Sequence, residues 1–375
     1  MKIGFDGKRA ANNLTGLGNY SRSLITHLAS IFPQNQYFVY TPKVKDKPQI
    51  ASFLQDKRIK IRKPQKAGLL WRTWGIKKQL LNDQIDLFHG LSHEIPIGLD
   101  QTPIASLVTI HDLIFLKFPK YFGIIDRLIY KMKSRYACRR ADRIIAISEC
   151  TKRDIVHFYG IASEKIDVVY QSCDDSFKVT PNADFNLTVK NKFALPSKYI
   201  LNVGTIETRK NLATLIRALE FINPEYKLVV VGKQTDYINL VKKDIDRLQL
   251  TNRVIFLQNV PFSDLPSIYQ MADVFVYPSL YEGFGIPIIE ALYCEVPVVA
   301  ATGSCLEEAG GPDSLYVPAL DAMALSLAIN RIINDPNLQM EMKTRGRAYV
   351  KRFDNEVVTN HIMNVYKRTL SAKNN

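Results

Sequence analysis

Residues 199–232, YILNVGTIETRKNLATLIRALEFINPEYKLVVVG, contain one complete repeat of a regular pattern. The run YILNVG predicts a strand, NLATLIRALEFI predicts a helix, and YKLVVVG predicts a second strand. Strands that alternate with helices in this way form β-α-β units, whose strands run parallel in one sheet. This stretch therefore predicts part of a parallel α/β domain.

The same alternation extends in both directions. Before it, the predicted strands are KIGFD, QYFVYT, IDLFHG, IASLVTI, DRIIAIS and DVVYQ, and after it they are RVIFLQ, DVFVYPS and VPVVAA. The pattern weakens only at TPNADFNLTVKNKFALPSK, which is polar and contains two prolines. We therefore predict an α/β protein with two Rossmann-like domains, 1–178 and 179–354, whose parallel sheets face each other across a cleft. A closing helix, 355–375, is expected to return to the first domain.

Length and composition fit this organisation. The chain has 375 residues, which corresponds to two or three domains at about 150 residues each. The N-terminus is charged and no apolar run approaches the ~18 residues needed to cross a bilayer. The five cysteines show no C-x-x-C spacing and are expected to be reduced thiols. These features predict a cytoplasmic protein.

The net charge of +14 is unevenly distributed. Residues 57–78 contain nine Lys/Arg and no acid, and residues 127–143 contain seven against one acid. Such a surface can attract nucleic acid, anionic lipid or phosphorylated substrates. No helix-turn-helix, zinc or RNA-binding signature accompanies the charge, so we expect no nucleic-acid partner.

Two loops of the first half follow predicted strands. In TGLGNYSRSL, Gly16 and Gly18 are expected to precede a helix, where backbone N–H groups can approach an anion. A purely structural turn is an equal alternative, since the third glycine of the dinucleotide fingerprint is missing. His111 directly follows IASLVTI, and its position at the end of a strand makes ligand contact as plausible as a structural role. Asp112 can cap the following turn.

Two loops of the second half carry charge. Arg209 and Lys210 precede a predicted helix, where the dipole disfavours cations by ~0.3–1 kcal/mol each. A facing anion would explain them, and a solvated exposed pair is the alternative. In YEGFGIPIIEAL, we expect Pro287 at the first helical position and Glu290 in the first turn, where an acid also favours the dipole. That leaves Glu282 unexplained, and carboxylates accept hydrogen bonds from vicinal hydroxyls. Cations, glycine loops and two such acids together predict a site for a nucleotide diphosphate-sugar.

These motifs resemble those of the retaining glycosyltransferases of family 4, which have two Rossmann-like domains (the GT-B architecture). The resemblance covers nearly the whole chain and includes T-I-H-D-L, I-S-E-C-T-K, G-T-I-E-T-R-K-N-L, P-S-L-Y-E-G-F-G-I-P-I-I-E-A and S-C-L-E-E-A-G-G. The chain departs from the family where Glu295 replaces a glycine, where Gln171-Ser172 replaces N-G, and where L-E-E-A replaces L-P-E-V. For Glu295 we expect a different helix terminus.

The resemblance implies roles for the candidate residues. Glu290 would bind the ribose hydroxyls of the donor, and Glu282 the hydroxyls of its sugar. The backbone of Gly283, Phe284 and Gly285 would contact the sugar, and Arg209 and Lys210 would bind the diphosphate. Gly16 and Gly18 would approach the phosphates and the acceptor side. His111 would contact the donor sugar near the reacting carbon. No cofactor or metal is expected, and stereochemistry would be retained.

The resemblance also implies a hexosyltransferase of cell-surface polysaccharide synthesis. The donor is expected to be GDP-mannose first and a UDP-sugar second, and the acceptor a saccharide or a lipid-linked saccharide. The segments 57–80 and 127–143 mix aromatic, aliphatic and basic residues, which suits peripheral attachment to an anionic membrane on its inner face. Core helices with solvated lysines are the alternative. A nucleotide-sugar epimerase of the same architecture is the alternative enzyme, and a basic nucleic-acid-binding protein is a less favoured one.

Overall fold

The computed structural model describes residues 1–45, 47–64, 68, 70–180 and 182–374. The chain divides into two compact units, Met1–Gln171 with Asn355–Asn375, and Ser172–Asp354. Residues 172–178, which the sequence placed in the first domain, belong to the second unit. Phe177 accounts for this, because its buried ring meets those of Phe262 and Tyr269 edge-on at 5.7 and 5.6 Å between centroids.

Each unit contains one parallel sheet. The strands of the first unit are Lys2–Asp6 (β1), Gln36–Tyr40 (β2), Ile59–Arg62 (β3), Leu87–Gly90 (β4), Ala105–Ile110 (β5), Arg143–Ala146 (β6) and Ile166–Val168 (β7). Those of the second unit are Tyr199–Val203 (β8), Lys227–Val231 (β9), Val254–Leu257 (β10), Val274–Tyr277 (β11), Val298–Ala301 (β12) and Leu315–Val317 (β13). Within each sheet, all of these strands pair with their neighbours in parallel. The predicted α/β fold class with two parallel sheets is confirmed.

Helices connect the strands. In chain order they are Gly16–Ile31 (α1), Pro48–Gln55 (α2), Ile76–Asn82 (α3), Ile114–Lys117 (α4), Ile124–Arg140 (α5), Glu149–Tyr159 (α6), Ala183–Lys192 (α7), Leu212–Leu219 (α8), Ile238–Arg247 (α9), Leu265–Gln270 (α10), Ile286–Tyr293 (α11), Leu306–Gly310 (α12), Ala322–Ile333 (α13), Pro336–Val350 (α14) and Asn355–Asn374 (α15). A π-helical turn, Trp71–Gly75, precedes α3. Among the described residues no helix is long and apolar enough to cross a membrane.

The strand order locates a point of reversal in each sheet. The first sheet runs β3-β2-β1-β4-β5-β6-β7 and the second β10-β9-β8-β11-β12-β13. In the first sheet, β1 to β3 are added toward one edge and β4 to β7 toward the other. In the second sheet, β8 to β10 are added toward one edge and β11 to β13 toward the other. Ligands of such folds bind beyond the carboxyl ends of the strands at this reversal. Within each unit, the loops after these strands are therefore the first place to look for a site.

The last helix completes the core of the first unit. α15 packs against α1 and contributes Ile362, Met363 and Tyr366 to the apolar cluster around β1. The Tyr366 hydroxyl lies 2.7 Å from Nδ1 of His89, whose Nε2 lies 2.7 Å from the Thr109 hydroxyl. His89 is fully buried, and burial lowers its pKa to about 3. This neutral histidine therefore links α15 to the sheet.

Candidate active site

At the reversal point of the second sheet, the loop after β8 is tied to the loop after β11. Arg209 and Lys210 form a short 3-10 turn with Thr208, and α8 begins two residues later. Between them, Asn211 takes a left-handed conformation with φ of 58° and donates from its amide to the carbonyl oxygens of Pro278 (3.0 Å) and Ala319 (2.6 Å). The backbone of Arg209 also accepts a hydrogen bond from the Leu280 N–H at 2.9 Å. The two cations are therefore fixed beside residues 278–282.

Glu282 joins these cations in a buried ionic group. Lys210 Nζ lies 2.6 Å from Oε1 of Glu282, and Arg209 Nη1 lies 2.7 Å from Oε2. The side chains of the cations are each 17% exposed and that of Glu282 is 11% exposed. Arg209 and Lys210 are thus not a solvated surface pair. Each oxygen of the Glu282 carboxylate binds one cation. The carboxylate therefore sets the distance between the two positive charges.

The three groups keep one another ionised. Burial alone would raise the pKa of Glu282, but Lys210 and Arg209 outweigh it and hold the pKa below its usual value. Burial likewise disfavours the charged forms of both cations, yet the Glu282 carboxylate raises their pKa values. Tyr277 completes the group, since it accepts a hydrogen bond from Lys210 and donates to Glu282 Oε1 at 3.3 Å. At neutral pH the group carries one net positive charge.

Glu290 lies in a different environment from Glu282. It is the fifth residue of α11, whose first turn contains no acid, so the expected place in the first turn is wrong. The helix starts at Ile286, one residue before Pro287. The buried Tyr269 donates a hydrogen bond to Oε2 of Glu290 at 2.8 Å. Burial raises the pKa of Glu290 to about 7, and Asp174 adds to the rise. Both forms of the carboxyl are therefore populated near neutral pH.

The glycine-rich turn between the two acids is closely packed. A Cβ atom at Gly285 would lie 2.9 Å from that of Ala309. The buried ring of Phe284 meets Phe353 edge-on at 5.4 Å between centroids. Gly283 is also buried. Phe284 therefore belongs to the core through its side chain, and its proposed contact with a sugar would come from the backbone.

Two buried serines near the ionic group were not predicted from the sequence. Ser279 follows β11 and Ser304 follows β12, and neither hydroxyl has a hydrogen-bond partner among the described residues. The loops are joined where the Cys305 thiol donates to the Glu282 carbonyl oxygen at 3.2 Å. An unsatisfied buried hydroxyl costs about 1–3 kcal/mol, so these two mark places where a ligand or water would be stabilised. Their position at strand ends was visible in the sequence, but their lack of partners was not.

At the reversal point of the first sheet, the glycines do not precede the helix as expected. Gly16 and Gly18 are the first and third residues of α1, which begins earlier than the predicted stretch. At Gly18 a Cβ atom would lie 1.9 Å from the carbonyl oxygen of Asn13, so this position requires glycine. At Gly16 a Cβ atom would meet nothing within 4 Å. Gly18 thus has a structural reason to be glycine, whereas Gly16 has open space beside it.

His111 directly follows β5, as the sequence indicates, and its ring is fully hydrogen-bonded. Nε2 lies 2.9 Å from the Leu91 carbonyl oxygen, and Nδ1 accepts from the Gln171 amide at 3.1 Å. Burial, with the neighbouring His93, lowers the pKa of His111 to about 3, so the ring is neutral. Gln171 stands where the family commonly has N-G, and here it orients His111. Asp112 accepts from the Ile114 N–H at 3.1 Å and caps the turn.

His93 is a second histidine beside His111 and was not predicted from the sequence as a site residue. The two rings lie 5.5 Å apart between centroids. His93 has a φ of 62°, unusual for a residue with a side chain, and its buried Nδ1 has no hydrogen-bond partner among the described residues. Burial, with the charge of Arg9, lowers its pKa to about 4. Strained backbone and an unsatisfied polar atom both suggest a functional position.

The structure thus separates the candidate residues into two groups. Arg209, Lys210 and Glu282 are in direct contact within the second unit, which also contains Glu290 and the Gly283–Gly285 turn. The other group, in the first unit, comprises Gly16, Gly18 and His111. Within the described ranges, no group of three or more His, Cys, Asp or Glu side chains could hold a metal ion.

Comparison with known proteins assigns each unit to a family model. Residues 14–177 match the model described as Glycosyltransferase Family 4, and residues 185–349 match Glycosyl transferases group 1. The O-antigen chain mannosyltransferase B of Escherichia coli is 28% identical over 98% of this chain and 100% of its own length. The O-antigen chain mannosyltransferase RfbU of Salmonella typhimurium is 30% identical over 70% of this chain and 68% of its own length.

Solved structures show the same fold. Anabaena HepE in complex with UDP and glucose aligns with a TM-score of 0.76 at 20% identity, covering 98% of this chain and all of that one. Sucrose-phosphate synthase from Thermosynechococcus elongatus aligns with a TM-score of 0.79 at 23% identity, covering 99% and 100%. These likenesses confirm the predicted two-domain GT-B architecture. The two family models and the 30% identical relative show that the chain is a glycosyltransferase that joins a family 4 domain to a group 1 domain.

Proposed function

We propose that this glycosyltransferase moves a hexose from a nucleotide diphosphate-sugar to a saccharide or lipid-linked saccharide acceptor, in the synthesis of a cell-surface polysaccharide. The observation that carries the proposal is the buried group of Arg209, Lys210 and Glu282 at the reversal point of the second sheet. GDP-mannose is the favoured donor, because two similar proteins are O-antigen mannosyltransferases. A UDP-sugar is the second choice, because the similar HepE structure holds UDP and glucose.

The cations suit a diphosphate leaving group. Negative charge on the nucleoside diphosphate grows as the bond to the sugar breaks, so fixed positive charge stabilises the transition state more than the ground state. Lys210 has three N–H donors and Arg209 has five, and the contacts with Glu282, Tyr277, Glu207 and Tyr281 leave some of them for phosphate oxygens. These two residues supply the positive charge, so the proposed reaction needs no metal ion.

The two acids have separate tasks in the proposal. Oε1 of Glu282 binds Lys210 and Tyr277, but Oε2 binds Arg209 alone among the described contacts and keeps a lone pair, which accepts a hydrogen bond from a hydroxyl of the donor sugar. Glu290 accepts from the ribose hydroxyls, and its ionised form has the greater acceptor capacity. The backbone of Gly283, Phe284 and Gly285 contacts the sugar from the turn between the acids.

Residues of the first unit also have roles in the proposal. Gly16, which is exposed at the first position of α1, and Gly18, two residues later in the same helix, serve the phosphates and the acceptor side. His111 contacts the donor sugar near the reacting carbon through its ring edge, since its nitrogens hold Leu91 and Gln171. His93, with an unsatisfied and neutral ring, offers the hydrogen bond to a sugar hydroxyl that His111 cannot offer without losing one of its own.

The reaction is proposed to retain configuration at the transferred carbon. The acceptor hydroxyl attacks on the face from which the diphosphate departs, a new C–O bond forms, and the C–O bond to the phosphate breaks. The departing phosphate oxygen takes the proton of the acceptor hydroxyl. No side chain acts as a nucleophile in this scheme, and the enzyme contributes position and charge.

A panel of nucleotide diphosphate-sugars tests the donor. The purified protein is heated with GDP-mannose, UDP-glucose and UDP-galactose, and the donor is expected to raise its melting temperature. Release of nucleoside diphosphate is then followed with and without EDTA, and the anomeric configuration of the product is read by NMR. No stabilisation by any nucleotide sugar would refute the proposal, and an inverted product would refute retention.

Lys210→Met tests the role of the cation. It removes the charge and keeps the length of the side chain, and we expect turnover to fall by about 100-fold or more, as for other donors to a developing charge. Lys198→Met is the matched control, because Lys198 also pairs with a glutamate, Glu225, but lies on the surface. Equal activity of the two variants would contradict the assignment.

A further inference from the structure

Helix α5 of the first unit exposes apolar side chains along its length. Five of them, Ile124, Ile125, Leu128, Ile129 and Met132, are between 39% and 74% exposed. A helix at the surface of a folded protein normally turns such residues inward. These five therefore need a reason to face outward.

The five residues form one continuous stripe. At about 100° per residue, they fall within an arc of about 140° on the helix surface. The residues that α5 buries in the unit, Ser134, Ala137 and Cys138, lie on the opposite side. They are small, so α5 uses small side chains toward the core and large apolar ones toward the outside.

Positive charge borders this stripe. Lys131 lies along one edge of it, and Lys133 and Arg140 along the other, at positions given by the same helical spacing, whereas Arg127 lies on the side of the buried residues. Arg135 and Arg139 continue the stripe toward the end of the helix. In all, α5 carries six cations against one acid, Asp126. The large apolar side chains therefore have basic ones at both edges and at the C-terminal end of the helix.

A second segment is attached to α5 through Glu94. Its Oε2 lies 2.9 Å from Arg72 Nη1 in the π-helical turn and 3.3 Å from Lys133 Nζ in α5. Nearby, the Ile97 N–H donates to Thr73 O and the Gly98 N–H donates to the Tyr136 hydroxyl, both at 2.8 Å. The π-helical turn contributes Trp74, which is 56% exposed.

The two basic segments of the sequence thus differ in character. In 57–80, Trp71, Ile76 and Leu80 are buried in the core, as the alternative of a core helix with solvated lysines expects. Lys66 and Leu69 of this segment lie outside the described residues. In 127–143 the large side chains of α5 face solvent, and that alternative does not hold. The stripe and its bordering cations are called the α5 face below.

We propose that the α5 face docks on the anionic headgroups of a lipid bilayer, with the apolar stripe inserted at the boundary of headgroups and acyl chains. An anionic bilayer surface binds apolar side chains flanked by Lys and Arg. The apolar side chains insert, the cations contact lipid phosphates, and the aliphatic stems of the cations lie along the surface. Nucleic acid would bind the cations through its phosphates but would give no favourable contact to the exposed isoleucines. Docking itself does not depend on the proposed reaction, but it would place a lipid-linked acceptor near the first unit.

Co-sedimentation with vesicles tests the proposal. The full chain is mixed at low salt with vesicles of phosphatidylcholine alone or with phosphatidylglycerol, and binding is expected only to the anionic ones and to weaken with added salt. Lys131→Gln/Arg135→Gln should lower the partition coefficient about 30-fold, at ~1 kcal/mol for each cation near an anionic surface. Ile125→Ser/Leu128→Ser should lower it about tenfold or more, because two apolar side chains no longer insert.

Met323→Ser/Leu327→Ser is the matched control, since it removes two exposed apolar side chains from α13 in the other unit. It should bind vesicles like the unchanged protein, and unfolding curves should show that every variant remains folded. Equal binding to neutral vesicles, or α5 variants that bind as the control does, would overturn the proposal. So would dimerisation that Ile125→Ser/Leu128→Ser abolishes in a protein that binds no vesicles. Vesicle binding is measured without a nucleotide-sugar. If the unchanged protein binds anionic vesicles but transfers no sugar, the proposed function fails and the docking proposal stands.

Discussion

Glu282 and Lys210 form a buried ion pair of 2.6 Å, and Arg209 occupies the other oxygen of the same carboxylate. Removing the acid would leave two cations facing each other in a site that excludes most water. We therefore expect Glu282→Gln to lower the free energy of unfolding by about 3–5 kcal/mol, the cost of leaving buried charges without their partner. Urea unfolding at neutral pH measures this.

Glu207→Gln supplies the comparison for that prediction. Glu207 also binds Arg209, at 2.6 Å, but its side chain is more than three times as exposed as that of Glu282. Its loss should change the free energy of unfolding by less than about 1 kcal/mol. If both variants lose the same amount, the buried carboxylate does not organise the two cations.

Glu290 should make the stability of the second unit depend on pH. Burial raises its pKa from 4.5 to about 7, so between these values the folded chain keeps a proton that the unfolded chain has lost. Stability contributed by the protonated carboxyl is therefore complete below pH 4.5 and decreases as pH rises to about 7, by about 3 kcal/mol in all. Glu290→Gln cannot ionise, so its stability relative to the unchanged protein should improve over this window and level off above it.

Tyr269→Phe shifts the same window. Tyr269 donates to Glu290 Oε2 and thereby favours the ionised carboxylate. Without this hydrogen bond the pKa of Glu290 should rise further, and the loss of stability should extend to higher pH. Unfolding curves from about pH 4 to 9 would show this extension.

For both variants, the assignment of the pH dependence to Glu290 has one clear contradiction. It is a stability difference between Glu290→Gln and the unchanged protein that is the same at every pH.

Much of the fold follows from the sequence because strands buried on both faces are continuous apolar runs. The runs LVVV in β9 and VFVY in β11 are of this kind, and each predicts a buried strand directly. The edge strand β3, IKIR, was not predicted, since it is short and half charged. The start of α1 was also placed too late, because its first turn contains two glycines, which are poor helix formers.

The site was predictable as a set of positions but not as a set of contacts. The end of each strand near the reversal point indicated Arg209, Lys210 and Glu282, since loops there meet at one edge of the sheet. Their ion pairs depend on the path of two loops far apart in the chain. The unsatisfied hydroxyls of Ser279 and Ser304 can be found only by accounting for every polar atom around them.

Glu295 offers a test of backbone strain. The family usually has glycine here, and we expected a different helix terminus, but that expectation is wrong: Glu295 follows the end of α11 with a φ of 57°. A left-handed conformation costs a residue with a side chain about 1–2 kcal/mol, whereas glycine adopts it freely. The side chain is exposed. Glu295→Gly should therefore raise the free energy of unfolding by about 1 kcal/mol with unchanged activity. A less stable variant would show that Glu295 makes a favourable contact instead.

His93 and His111 should respond differently to the same substitution. His111→Asn leaves the buried Leu91 carbonyl and Gln171 amide without their partner, which should cost about 1–3 kcal/mol of stability. His93→Asn removes no hydrogen bond of the unsatisfied Nδ1, and asparagine tolerates the left-handed backbone, so stability should change little. If His93 binds a sugar hydroxyl, kcat/KM should nevertheless fall by about tenfold, equivalent to ~1.4 kcal/mol. Melting curves and initial rates for both variants separate the two effects, and a His93→Asn variant with full activity would leave its strained backbone and unsatisfied nitrogen without a catalytic explanation.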